Sequence, residues 1–175
     1  MKFCMECGSS NILFEIPDGD NRARHNCSEC NFILYRNPRI IVGCLVEEKG
    51  RVLLAQRAIE PAYGKWNLPA GFLEEDEDVA SGAARETREE TGFDIEIGHL
   101  HCVYSVPDDS HVFVIFKATT LERISDHTPE SLEVRLFDPE EIPWLEIAFP
   151  SNTYALKKYL QNRDEIKGTH VGYGN

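Results

Sequence analysis

Two pairs of cysteines near the start limit what this chain can fold into more than any other feature. Cys4-Met-Glu-Cys7 and Cys27-Ser-Glu-Cys30 both have the C-x2-C spacing, with 19 residues between the pairs. Two thiolates at that spacing can face one ion from a tight turn. Two such turns brought together make a closed tetrahedral zinc site. The segment between the pairs reads as a hairpin: an apolar stretch from Ile12, a turn at Asp18-Gly19-Asp20-Asn21, and a return to Cys27. A zinc ribbon is expected over residues 1–36, a module too small to hold together on its core alone. Four sulfurs leave no position for a reactive water, so the Zn²⁺ expected here is structural. A disulfide pairing is the alternative, and it fits poorly with an N-terminus that runs directly into cysteines with no apolar export signal. His25 reads as a hairpin side chain rather than a ligand. Cys44 and Cys102 lie inside apolar runs and read as buried packing residues.

Charge narrows the function classes. The net charge is −12 and the isoelectric point is about 4.9. A surface this acidic repels a bare phosphate backbone, which argues against nucleic acid as a partner. A protein of this charge that handles phosphates needs a divalent metal between them and its carboxylates. The longest apolar runs, 40–46 and 112–116, are strand-length and fall well short of the roughly 20 residues of a membrane helix. A cytoplasmic location is expected.

After Asn37-Pro38 the pattern changes. Residues 39–47 read as a buried strand, Glu48-Lys49-Gly50 as a turn, and 51–57 as the returning strand. Trp66-Asn67-Leu68 reads as a short strand ended by Pro69-Ala70-Gly71. A helix follows, with Asp78 as N-cap and Gly92 as its stop. Its inward face carries Val79, Ala83 and Thr87. Gly82 within it points to a close approach by another group. Further strands are expected at 94–105, 111–119 and 132–137, with a turn or short helix at 139–143. An amphipathic helix capped by Ser151 is expected at 151–163, followed by a frayed tail. The domain limits are 1–36 for the ribbon, 37–165 for the main domain and 166–175 for the tail.

On the helix, Glu86, Glu89 and Glu90 share an arc of about 100° at about 100° per residue. Like charges so close cost stability unless a cation joins them. Hard oxygen ligands select Mg²⁺ or Mn²⁺. The bland alternative is a solvated helix laced by pairs such as Arg85–Glu89.

The wider spacing favours the metal reading. Gly71, Glu77, Arg85-Glu86-Thr87, Glu89-Glu90 and Gly92-Phe93 reproduce G-x5-E-x7-R-E-U-x-E-E-x-G-U, where U is apolar, with Thr87 the one departure. This resembles the Nudix box of the Nudix hydrolase family. The resemblance implies an α+β fold: an α-β-α sandwich on a mixed sheet, preceded here by the ribbon. It implies hydrolysis of a nucleoside diphosphate linked to another group, with Mg²⁺ or Mn²⁺ held by Glu86, Glu89 and Glu90 and by the Gly71 carbonyl. Arg85 takes a supporting role through an ion pair with Glu77, and homodimers are implied by analogy.

A cysteine ribbon ahead of such a domain is similar to NADH pyrophosphatases, but their S-Q-P-W-P-F-P-x-S element has no counterpart in residues 102–112. The segments 37–57, 60–74 and 129–149 are more similar to small zinc-ribbon enzymes acting on ADP-ribose and FAD. The rivals are NADH or NAD-capped RNA as substrate, and a non-catalytic ribbon binding protein.

Other candidates remain open. Glu133 is expected as a further ligand or general base, with Glu130 competing and a solvent-facing strand residue as the plain reading. Phe72 either stacks on a base or packs in the core. Arg57 either contacts a phosphate or lies at the surface. Tyr104 and Trp66 read as structural.

Overall fold

The computed structural model describes residues 1–125, 128–162 and 168–174. The chain divides into two compact units, Met1–Asn37 and Pro38–Asn175.

In the first unit, β1 (Ile12–Glu15) pairs antiparallel with β2 (Arg24–Cys27). This is the expected hairpin. A short β3 (Ile33–Leu34), which the sequence reading lacked, adds to β2. Cys4 and Cys27 are buried while Cys7 and Cys30 are exposed. The small sheet thus has a core made largely of sulfur.

The second unit is built on β4 (Arg39–Glu48) and β5 (Arg51–Arg57). Their connection is the two-residue turn Lys49-Gly50, with φ of 51° and 82°, the left-handed pair that suits the twist of a tight hairpin. The two strands pair only at Glu47↔Val52 and Glu48↔Arg51. Beyond that the sheet opens, and two short strands fill the gap. β6 (Trp66–Asn67) pairs with β5, and β7 (Ala70–Phe72) pairs with β4. Pro69-Ala70-Gly71 is therefore not a simple break. The chain leaves one strand there and starts another.

β8 (Phe93–Val106), β9 (His111–Arg123) and β10 (Ser131–Phe137) complete the expected strands. The order is β10-β5-β4-β9-β8-β11, and the sheet is mixed because β4 runs parallel to β9. The last strand, β11 (His170–Tyr173), runs parallel to β8 and corrects the expectation of a frayed tail. Its backbone groups pair with the ladder Cys102–Ser105.

Both faces of the sheet are covered, which explains why β4 and β5 read as continuous apolar runs. Val42, Cys44, Val46 and Leu53 pack on one side with Ala83 of α1 (Val79–Thr91). Leu45, Val52 and Leu54 pack on the other with Ala155, Leu156 and Tyr159 of α2 (Pro150–Gln161). Cys44 and Cys102 are fully buried, as expected of packing residues.

Asp78 caps α1, its carboxylate accepting from the N–H groups of Ala80 at 2.9 Å and Ser81 at 3.0 Å. Gly92 ends the helix at φ 72°. Ala83 and Thr87 face inward, but Val79, the first residue of the helix, is exposed, and burial in that turn begins at Gly82. α2 begins one residue before the expected cap. Pro150 takes the first helical position, where its missing N–H costs nothing, and this puts Ser151 inside the first turn. Two 3-10 turns, Pro139–Glu141 and Trp144–Glu146, occupy the connection before α2. Among the described residues no helix is long and apolar enough to cross a membrane.

Candidate active site

The opening between β4 and β5 lets the chain leave the sheet after β7 and lay α1 over one face of it, and Arg85 organises the 71–93 segment. Its Nε donates to Glu77 Oε2 at 2.9 Å and its Nη2 to Glu77 Oε1 at 2.6 Å, a two-pronged pair. Nη1 donates to Glu86 Oε1 at 2.8 Å and Glu89 Oε2 at 3.1 Å. Nη2 also reaches the Phe72 carbonyl at 3.2 Å. One guanidinium therefore ties the loop after β7 to three glutamates.

Two glycines make room for this. A Cβ on Gly71 would collide with the Glu86 carboxylate. One on Gly82 would come within 2.6 Å of Glu77 Oε1. The close approach expected at Gly82 is thus the Glu77 carboxylate and the side chain of Leu73.

The carboxylates have sharply different environments. The Arg85 hydrogen bonds, helped by the Glu74 N–H, hold Glu77 down at a pKa of about 2, and Arg85 is raised in return. Glu86 is pushed up, first by burial, with Glu89 and Glu130 repelling it. Glu90 is 6% exposed and accepts from Asn67 Nδ2 and the Ala70 N–H, both at 3.3 Å. Burial raises its pKa to about 8, and Glu86 adds repulsion. Glu89 lies in the open beside Arg85, its side chain 58% exposed.

The three glutamates lie around one helix end but are not drawn to a point. Among the described residues, the only group of three or more ligating side chains with all its donor atoms within 4.8 Å is Cys4, Cys7, Cys27 and Cys30. Glu86 and Glu89 share an Arg85 nitrogen, which stands between them as a cation would, and Glu90 turns toward β7. The donor set of hard, crowded oxygens, one of them a buried acid, fits a divalent cation.

In the ribbon, Cys4 Sγ to Cys30 Sγ and Cys7 Sγ to Cys27 Sγ are both 3.6 Å. That is far longer than a disulfide. It is near the roughly 3.8 Å edge of a tetrahedron with 2.3 Å metal–sulfur bonds. His25 lies outside the cluster, its ring 4.9 Å from Phe14.

At the far end of α1, the Glu90 carbonyl accepts from Thr128 Oγ1 at 3.0 Å and Ser131 Oγ at 2.6 Å. This ties the helix to the start of β10. Of the two carboxylates weighed there, Glu130 acts electrostatically on Glu86. Glu133 is exposed and pairs in register with Gln56. Strand alternation gives it the face of Phe137, whereas Val134 and Leu136 pack on the α1 side.

A cavity of about 330 Å³ adjoins the box loop. Arg57, Asn67, Gly71 and Phe72 line it together with Tyr104 and Phe149. Arg57 is buried, not superficial. Its Nε donates to the Pro61 carbonyl at 2.8 Å and its guanidinium lies 5.1 Å from the Phe149 ring. Phe72 is 45% exposed, with its ring 5.7 Å from His111, so it is not a core residue. Trp66 is a packing residue, edge-on to Phe137 at 4.8 Å. Tyr104 is buried against Tyr154 and also forms cavity wall. Ser151 and Asn152 also line the cavity; the sequence marks Ser151 only as a helix cap and marks neither Asn67 nor Asn152 as a site residue. An asparagine inside the apolar run WNLP was the one available signal.

Two family descriptions match the chain, NUDIX domain over residues 36–159 and the zinc-ribbon description Nudix N-terminal over residues 2–36. The crystal structure of a NUDIX hydrolase from Nitrosomonas europaea superposes with a TM-score of 0.92 at 46% identity, covering 100% of this chain and 99% of that one. An ADP-ribose pyrophosphatase from Methanocaldococcus jannaschii is 34% identical over 64% of this chain and 69% of its own length. A MutT-like protein from Streptomyces ambofaciens is 35% identical over 58% of this chain and 64% of its own length, just under two thirds. The chain belongs to the Nudix hydrolase family and carries a Nudix N-terminal zinc ribbon ahead of its Nudix domain.

Proposed function

We propose that this protein is a divalent-metal-dependent pyrophosphohydrolase that cleaves the diphosphate of an ADP-X nucleotide, with ADP-ribose and FAD as its substrates and AMP as one product. The observation that carries this is the joining of two features at Gly71: the glutamates of α1 and a nucleotide-sized cavity share that residue. The name of the Methanocaldococcus relative supports ADP-ribose as the first substrate to test.

Glu86, Glu89 and Glu90 hold Mg²⁺ or Mn²⁺, with the Gly71 carbonyl beside them. The bound metal neutralises phosphate charge and lowers the pKa of a water. Arg85 holds Glu77, Glu86 and Glu89 in place and so fixes the box loop before substrate arrives. Arg57 supplies positive charge in the cavity for a phosphate, and Phe72 offers a ring face at its mouth. Of the two acidic residues near the start of β10, Glu130, whose charge acts on Glu86, takes up a proton as general base, while Glu133 stands on the strand face away from α1. Cys4, Cys7, Cys27 and Cys30 hold a structural Zn²⁺. The domain limits proposed are 1–36 for the ribbon, 37–165 for the Nudix domain and 166–175 for a C-terminal segment.

The test is a substrate panel of ADP-ribose, FAD and NADH with Mg²⁺ and with Mn²⁺, on wild type and on Glu89→Gln and Glu90→Gln. Release of AMP from ADP-ribose or FAD, reduced about a hundredfold or more in either variant, is the expected result. Fastest turnover of NADH would shift the substrate. Unchanged turnover in both variants would remove the box from the active site.

A further inference from the structure

The cavity beside the box contains a polar group that the chain itself leaves unused. Ser151 is 2% exposed, lines the cavity, and its hydroxyl has no hydrogen-bond partner among the described residues. A buried hydroxyl without a partner is costly, and native structures rarely keep one without a reason. Its neighbour Asn152 is 3% exposed and lines the same space. Both sit in the first turn of α2, a helix of 12 residues. That turn is partly closed on itself: the N–H groups of Asn152 and Thr153 both reach the Phe149 carbonyl, at 3.1 and 3.2 Å, and Pro150 has none to give. The Ser151 and Asn152 side chains stand at this end of the helix, in the wall of the cavity.

The rest of the wall says what kind of ligand. Phe72, Tyr104, His111 and Phe149 are flat rings, and the lining residues of fixed charge are one of each sign, Asp109 and Arg57, whose Nε is on the Pro61 carbonyl. An aromatic-walled space with a neutral hydroxyl and an amide suits a heteroaromatic base better than a free anion. We propose that Ser151 and Asn152 form the edge-reading wall of a nucleobase pocket. The hydroxyl donates to a ring acceptor, and the amide, which both donates and accepts, pairs with an adjacent ring nitrogen and exocyclic amine. Adenine offers that pairing, as it does to asparagine in nucleic acids. The assignment rests on the nucleotide hydrolase reading above and names the group that sets its substrate class.

The experiment is calorimetric titration of the zinc-loaded full-length protein with AMP, ribose 5-phosphate and inorganic phosphate, each with Mg²⁺. Ser151→Ala is expected to weaken AMP about three- to tenfold, the range of one neutral hydrogen bond, and to leave the other two ligands and the thermal melt unchanged. Asn152→Leu keeps the shape without the amide and is expected to act in the same direction, and it decides the matter if Ser151→Ala melts early. Unchanged AMP binding in the folded variants overturns the proposal, and so does equal weakening of AMP and phosphate, which would mark an anion site. The two readings fail separately. ADP-ribose or FAD hydrolysis with AMP binding indifferent to Ser151 and Asn152 sinks the pocket alone. Ser151-dependent AMP binding without hydrolysis of either substrate sinks the hydrolase alone.

Discussion

Arg85 directs its donors to four separate acceptors, three of them carboxylates, and this makes it more sensitive to substitution than its exposure implies. Lysine has one nitrogen and no planar fork, so Arg85→Lys keeps the charge while losing the two-pronged grip on Glu77. Turnover of the variant is expected to drop at least tenfold, with melting temperature reduced, as read by steady-state kinetics and calorimetry. Glu77 gives the pH test. Its folded pKa is about 2, below the ordinary value of about 4.3. The stability it adds is therefore fully present above about pH 4.3 and is lost as pH falls through about 2. Glu77→Gln is expected to flatten the acid limb of stability between those values, measured by urea titration at pH 6, 4 and 2.5. Glu90 runs the other way. A buried carboxylate with a folded pKa of about 8 takes up a proton on folding, so metal-free stability declines as pH rises from about 4.3 to 8. Glu90→Gln removes that decline and is expected to raise the metal-free melting point at pH 8 by a few degrees, at roughly 2–4 °C per kcal/mol for a chain of this size, while lowering the further rise that Mg²⁺ gives the wild type. Helical spacing puts Glu86, Glu89 and Glu90 on one arc, and the wider resemblance to the Nudix box is what marks them, with Glu77 and Arg85, as a site. Their rotamers were not legible in sequence. The Arg85–Glu89 pair is a local i,i+4 contact, whereas the hold of Arg85 on Glu77 and the Phe72 carbonyl depends on the chain after β7 returning over the helix.

At the scale of elements, α1 is the best-specified piece of the chain, because capping chemistry marks both of its ends. The Asp78 carboxylate satisfies two N–H groups and also accepts from Ser81 Oγ at 2.7 Å. Asp78→Ala is expected to cost about 1 kcal/mol by chemical denaturation. It should leave the Arg85 pair with Glu77 intact, so turnover at 25 °C should change little. α2 was legible as a helix but not in its start, since a proline at the first helical position displaces the role that a serine would otherwise fill. The short strands show the other limit of local reading. β7 owes its existence to the divergence of β4 from β5, which leaves edge groups at residues 41–43 to be paired. β11 pairs across more than 60 residues of sequence with β8. His-Val-Gly-Tyr is too short, and interrupted by a glycine, to read as a strand on its own, and the edge of β8 gives it a partner. Asn67, Ser151 and Asn152 do not read as cavity residues in the sequence for the same reason: each becomes one only where distant elements meet.

For the molecule as a whole, the two units rest on different physics, and metal removal separates them. The Pro38–Asn175 unit buries apolar residues on both faces of an eight-stranded sheet. The Met1–Asn37 unit has two buried cysteines and leaves Phe3, Met5, Leu13, Phe14, Ile16 and Tyr35 substantially exposed. A module of that size with so little apolar burial cannot offset its chain entropy without a staple. The four sulfurs at tetrahedral separation supply one, because metal binding there is folding free energy. A strong chelator, or Cys4→Ser with Cys27→Ser, is therefore expected to abolish amide-exchange protection in β1–β3 while the sheet of the second unit keeps its own protection. Elemental analysis before treatment should find one zinc per chain. Persistent protection of β1–β3 after full zinc removal would mean that the hairpin and its few side-chain contacts suffice, and the sulfur cluster would then lose its structural role.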